Sequence, residues 1–103
     1  MNAETLLMRK IEVALCERGC WVMRTNSGLY YDAQGNRVRV GFVGLSDLIG
    51  CNAKGEIFFI EVKGTNTRVR PEQQKFIDVM RSRGRRAGLA YSVEEAIQIA
   101  VNE

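Results

Sequence analysis

Two apolar runs flank a tight polar turn in the middle of this chain, and together they fix the pairing of a hairpin. Leu45 to Cys51 and Ile57 to Val62 are rich in β-prone residues, and Asn52-Ala53-Lys54-Gly55 lies between them. With Lys54 at the centre of the turn, Asp47 and Glu61 each lie seven residues from it, so the two acids face one another. Like charges placed opposite on neighbouring strands repel. Hard divalent cations, which take oxygen ligands, are a common means of holding such a pair. Glu61 and Lys63 are two residues apart and so project from one face. The hairpin therefore gathers two carboxylates and an amine at one point.

The flanking segments supply a mixed sheet and its helices. Leu6, Leu7, Ile11, Ala14 and Leu15 recur at helical spacing over residues 3 to 18, and Gly19 follows as a stop. Cys20 to Thr25 reads as a strand. Between residues 29 and 43, Ala33-Gln34-Gly35-Asn36 is a turn, and Val38 and Val40 alternate with Arg37 and Arg39, the pattern of a small exposed ribbon or loop. Pro71 suits a first helical position, and Phe76, Ile77, Val79 and Met80 form the apolar face of a helix running from Glu72 to Arg83. Arg86 to Tyr91 is a short strand. Ser92, with Glu95 three residues on, caps a last helix. The order α-β-(ribbon)-β-β-α-β-α predicts an α/β fold with a mixed sheet flanked by helices.

At 103 residues, 46% of them hydrophobic, the chain is expected to form one domain with one core. So small a domain leaves much surface exposed, which favours association into a dimer. The net charge of +3 is compatible with an anionic partner. No histidine is present, which excludes a Ser-His or Cys-His pair, and the three cysteines lack metal-ligand spacing. Cys16, Cys20 and Cys51 read as buried, reduced thiols, and the four methionines and Trp21 as core. With no leader-like apolar segment and no run of membrane-spanning length, the expectation is an intracellular, cytoplasmic chain without a membrane partner.

The chemistry that fits Asp47, Glu61 and Lys63 is metal-assisted hydrolysis of a phosphodiester. A cation held by the two acids would polarise a phosphoryl oxygen and acidify water. The carbonyl of Val62 is a candidate third oxygen ligand. Lys63 could hold or deprotonate the attacking water or stabilise charge on phosphorus. Gln74, one turn into the next helix, is a candidate for orienting the water or Lys63. The bland alternatives are a turn-side acid for Asp47, a solvated strand face for Glu61 and Lys63, and a surface helix residue for Gln74.

Taken together, Gly44-Leu45-Ser46-Asp47, Glu61-Val62-Lys63 and Pro71-Glu72-Gln73-Gln74 resemble the PD-(D/E)xK nuclease superfamily and, more narrowly, its VRR-Nuc (virus-type replication-repair nuclease) family. Ser46 stands where the motif has its proline, a change of backbone rigidity rather than of a ligand. The resemblance implies a restriction-endonuclease-like fold, with Mg²⁺ or Mn²⁺ held by Asp47 and Glu61. It places the family lysine on Lys63 and the family glutamine on Gln74. It also implies an acid on the first helix. Glu4 and Glu12 share roughly one helical face, and Glu4 is favoured by its Glu-x-x-Leu spacing.

Arg24, Lys54, Arg68, Arg70, Arg37 and Arg39 are candidate phosphate contacts, or a dispersed solubilising surface. Arg68 and Arg70 are favoured because they follow the strand that carries Glu61 and Lys63. Tyr30 and Tyr31 can stack on bases or simply pack. Compact members of the family resemble Holliday-junction resolvases, which implies a structure-selective endonuclease acting on branched DNA as a homodimer. Phage or bacterial origin would suit such a free-standing domain. The alternatives are a non-catalytic DNA-binding accessory protein that keeps the fold, and a restriction-type endonuclease.

Overall fold

A computed structural model describes residues 2–102. Helix α1 (Ala3–Glu17) is followed by strand β1 (Trp21–Arg24), ribbon strands β2 (Gly28–Tyr31) and β3 (Arg37–Val40), and hairpin strands β4 (Leu48–Cys51) and β5 (Ile57–Val62). Helix α2 (Pro71–Ser82), strand β6 (Arg86–Ala90) and helix α3 (Val93–Ala100) complete the order. The main sheet runs β1-β4-β5-β6, while β2 and β3 form a separate two-stranded sheet. Its pairings are antiparallel except for β5 with β6, which α2 joins as a crossover. The mixed α/β architecture expected from the sequence is the one observed. The hairpin register is also as read: Leu48 pairs with Ile60 and Cys51 with Ile57.

The two-residue period of β5 divides the molecule into two layers. Phe58, Ile60 and Val62 point to one face and pack with Ile11 and Leu15 of α1 and Ala96 and Ala100 of α3; all are fully buried. Removing each large side chain of this cluster from water contributes about 1.5–3 kcal/mol. Gly50 lets the hairpin close over this layer, since a Cβ there would lie 2.2 Å from the Phe58 ring and 2.5 Å from the Trp21 carbonyl. Phe59, Glu61 and Lys63 point to the other face, toward α2, where the Phe59 and Phe76 rings meet edge to face with centroids 5.3 Å apart.

α2 covers only part of that second face. Trp21 is 63% exposed, and Met23 and Ile57 are also exposed. The expectation that Trp21 and the methionines belong to the core is therefore corrected for Trp21 and Met23: β1 is an edge strand, and the side chains on its outer face have no helix above them. The cysteines are free as expected, but only Cys20 is buried; Cys16 is exposed on α1 and Cys51 is half-buried. No helix among the described residues is long and apolar enough to cross a membrane.

Candidate active site

The acids meet at the open end of the β4–β5 hairpin, on the α2 face. Asp47 immediately precedes β4, and the residue just after β1 holds its backbone: Thr25 N–H donates to the Asp47 carbonyl at 3.0 Å, and Thr25 Oγ1 to the Ser46 carbonyl at 2.7 Å. Ser46, at the motif's proline position, is buried, and its hydroxyl donates to the Leu48 carbonyl at 3.1 Å. Gly44 allows the approach to α2. Its φ is +96°, and a Cβ there would sit 2.5 Å from the Glu72 carbonyl oxygen. Phe42 stacks on Phe76 at 5.6 Å, fixing the same loop against the helix.

Asp47 and Glu61 then bond to each other's strand. Asp47 N–H donates to Glu61 Oε1 at 3.1 Å, and Val62 N–H donates to Asp47 Oδ2 at 2.9 Å. The N–H and C=O of an extended residue point to the same strand edge, so the Val62 carbonyl also turns toward the Asp47 side. Glu61 and Lys63 are each only 3% exposed. Burial first, and then the Asp47 charge, push the Glu61 carboxyl up to about 8, against the opposing pull of Lys63. Burial likewise raises Asp47, while the Val62 N–H and a hydrogen bond with Glu61 draw it back. Two carboxyls this close favour holding a proton between them.

Lys63 Nζ donates to Gln73 Oε1 at 2.8 Å and to the Arg68 carbonyl at 3.1 Å, and lies 3.6 Å from Glu61 Oε2. Gln73 Nε2 makes a short hydrogen bond to the same Glu61 oxygen. Gln73 Oε1 also accepts from Arg70 N–H at 3.0 Å. One amide thus joins the acid, the lysine and the start of α2. Glu4, from α1, accepts from Thr67 Oγ1 at 2.7 Å and Gly64 N–H at 3.2 Å. A cleft of about 270 Å³ opens among these groups, lined by Glu4, Asp47, Glu61, Lys63 and Gln73, with Arg39, Arg68 and Arg70 on its walls.

The family model of the VRR-NUC domain matches residues 7–94. The chain belongs to the VRR-NUC domain family. A solved structure described as a VRR_NUC domain superposes with a TM-score of 0.71 at 21% identity, covering 96% of this chain and 95% of its own. No curated protein sequence matches. The VRR-NUC domain is a nuclease-type fold of restriction-endonuclease-like architecture, which points to DNA as the substrate.

Within this VRR-NUC domain, the structure brings several of the residues named from the sequence to one cleft and leaves two outside it. Asp47, Glu61, Lys63, Glu4, Arg68 and Arg70 come together at the cleft. Glu12, the alternative to Glu4, is not among the residues lining the cleft and bonds Arg24 at 2.7 Å. That pair also corrects Arg24, which is expected on phosphate but is held on the core side of β1 by Glu12. Gln74 is corrected as well: its Nε2 donates to Asp78 Oδ1 at 2.9 Å along the outside of α2, and Gln73 occupies the site instead. The signal for Gln73 was present in the sequence. A residue at the third position of a Pro-started helix points back toward the helix start, where a Gln can accept from the N-cap amide.

The donor set fits a hard cation in kind. It offers carboxylate oxygens and a peptide carbonyl, and the raised Glu61 carboxyl marks a place short of positive charge. Among the described residues, no three acids stand close enough to form a ready-made cluster, since Glu4 is turned onto Gly64 and Thr67.

Proposed function

We propose that the protein is a metal-dependent, structure-selective DNA endonuclease that hydrolyses phosphodiester bonds in branched DNA. The observation that carries this reading is the juxtaposition of half-buried Asp47 with buried Glu61 and Lys63, at the base of a cleft walled by arginines. Asp47, Glu61 and the Val62 carbonyl would hold Mg²⁺ or Mn²⁺, with Glu4 able to swing in from Thr67. The cation would supply Lewis acidity toward a phosphoryl oxygen and make nearby water more acidic. Lys63, fixed by Gln73 and the Arg68 carbonyl, would hold the attacking water or stabilise charge gathering on the phosphate. Gln73 would set the lysine's position through its 2.8 Å bond to Nζ. Arg68 and Arg70 would hold the flanking phosphates.

The protein acts as a homodimer in this reading. The exposed Trp21, Met23 and Ile57 side chains support it, being apolar neighbours on one sheet face. A strict monomer by analytical ultracentrifugation at micromolar concentration would remove that part.

The decisive test is cleavage of labelled four-way junctions, flaps, splayed arms and linear duplexes with Mg²⁺, Mn²⁺ or Ca²⁺. Branched DNA should be cut with Mg²⁺ or Mn²⁺, and Ca²⁺ should support binding without turnover. Asp47→Asn should abolish cutting while DNA binding persists. A wild-type protein that binds but never cuts would favour the non-catalytic accessory role.

A further inference from the structure

We propose that the β2–β3 ribbon is a DNA-docking arm whose Tyr31, Arg37 and Arg39 face grips the phosphate backbone of the duplex flanking the cleft. This rests on the nuclease reading above and extends it to residues outside the acid site. The register pairs Leu29 with Arg39 and Tyr31 with Arg37, so these four side chains share one face of the ribbon. Arg39 lines the same cleft as Asp47 and Glu61, which makes that face continuous with the site. Arg37 and Arg39 lie about 6.8 Å apart along the strand. Among the described residues neither guanidinium has an acid within ion-pairing distance.

The only carboxylate on the ribbon, Asp32, is taken up by the turn: it accepts from Gln34 N–H, Asn36 N–H and Asn36 Nδ2. The two tyrosines divide by face. Tyr30 turns back, its hydroxyl donating to the Asn26 carbonyl at 2.8 Å. Tyr31 is 66% exposed and leaves its hydroxyl available to a phosphate.

The ribbon pairs only with itself and stands off the four-stranded sheet. Its direction is set at the base, where Ser27 Oγ donates to the Phe42 carbonyl at 3.3 Å and Asn26 takes a left-handed φ of +51°. Two-stranded ribbons of this kind fit a duplex groove. A second copy of the chain is the weaker occupant. A two-fold interface would bring each patch onto itself and set these arginines against like charge.

The test is fluorescence anisotropy of a labelled four-way junction with the full chain in Ca²⁺, over a fourfold range of salt. Each phosphate contact contributes about 0.9 to the slope of log affinity against log salt. The Arg37→Ala/Arg39→Ala double variant should therefore flatten the slope by about 1.8, which removes about 12-fold of the affinity lost across that range. Arg37→Lys/Arg39→Lys should keep most of the wild-type slope. A double-alanine variant with the wild-type slope overturns the ribbon proposal and leaves the nuclease reading standing. A lysine variant as flat as the alanine variant also overturns it, because the effect would then be structural rather than ionic. Wild-type protein that binds no DNA in Ca²⁺ defeats the nuclease reading and the ribbon with it.

Discussion

Cation binding at the acid pair should expel a proton, and the number can be worked out. Glu61 is buried against Asp47, and its carboxyl is held at about 8. At pH 7 it is then about 90% protonated in the metal-free protein, and at pH 9 about 10%. A divalent ion shared by both carboxyls requires both to be ionised. Binding should therefore release about 0.9 proton at pH 7 and about 0.1 at pH 9, with affinity about tenfold weaker at the lower pH. Isothermal titration calorimetry with Ca²⁺, in two buffers of equal pH and different ionisation enthalpy, reads the proton count directly and needs no DNA. Glu61→Gln should bring the count close to zero. If wild-type protein binds Ca²⁺ at pH 7 with no proton released, the pair is already doubly ionised and the reasoning from burial fails. If it binds no cation at millimolar concentration, the donor set is not a metal site.

The same linkage acts on stability without metal. The folded Glu61 carboxyl binds its proton up to about 8, whereas unfolded glutamate loses it near 4.5. Stability is thus greatest on the acid side of this window and falls by roughly a few kcal/mol as pH climbs through it, a trend that urea titrations at pH 5 and pH 8.5 would expose or refute. Gln73→Ala should cut kcat by about 10- to 100-fold in single-turnover assays, while Gln74→Ala changes it by less than about twofold. Equal effects would contradict the assignment of the clamp to Gln73. Gly44→Ala must drive a Cβ into the Glu72 carbonyl at positive φ, so it should lower stability by about 1–3 kcal/mol in urea unfolding. An unchanged midpoint would mean that the loop is not pinned to α2.

What could be read from the sequence divides along a physical line. Periodicities local to one hairpin or helix transferred well. The turn centred on Lys54 fixes the register arithmetically, so the meeting of Asp47 and Glu61 follows from a period of two. The ribbon turn and the Ser92 cap follow from residues within a few positions of one another. Two readings failed because they depend on partners distant in the chain. Arg24 and Glu12 lie on different elements, and only the packing of α1 against β1 brings them to 2.7 Å. Trp21 looks like core by composition, but it faces solvent because α2 stops short of the edge strand. Gln73 and Gln74, by contrast, differ by one step of about 100° around α2, and the choice between them was legible locally, since Pro71 opens the helix and puts Gln73 at its third position.

That one step also explains how the fold tolerates its buried charges. Among the described residues, no buried side-chain polar atom lacks a hydrogen-bond partner. An isolated buried carboxylate or ammonium costs several kcal/mol, so a half-satisfied network here would be strongly destabilising. Gln73 completes it by offering a donor to Glu61 and an acceptor to Lys63 at the same time. Glutamate at this position would lose the donor and add a further carboxyl, and alanine would leave the 3.6 Å pair of Lys63 and Glu61 without the amide that bonds both. The amide therefore fixes the geometry of the pair, bonding Lys63 Nζ at 2.8 Å while that nitrogen stays 3.6 Å from Glu61 Oε2, so that amine and acids keep a set arrangement at one cleft.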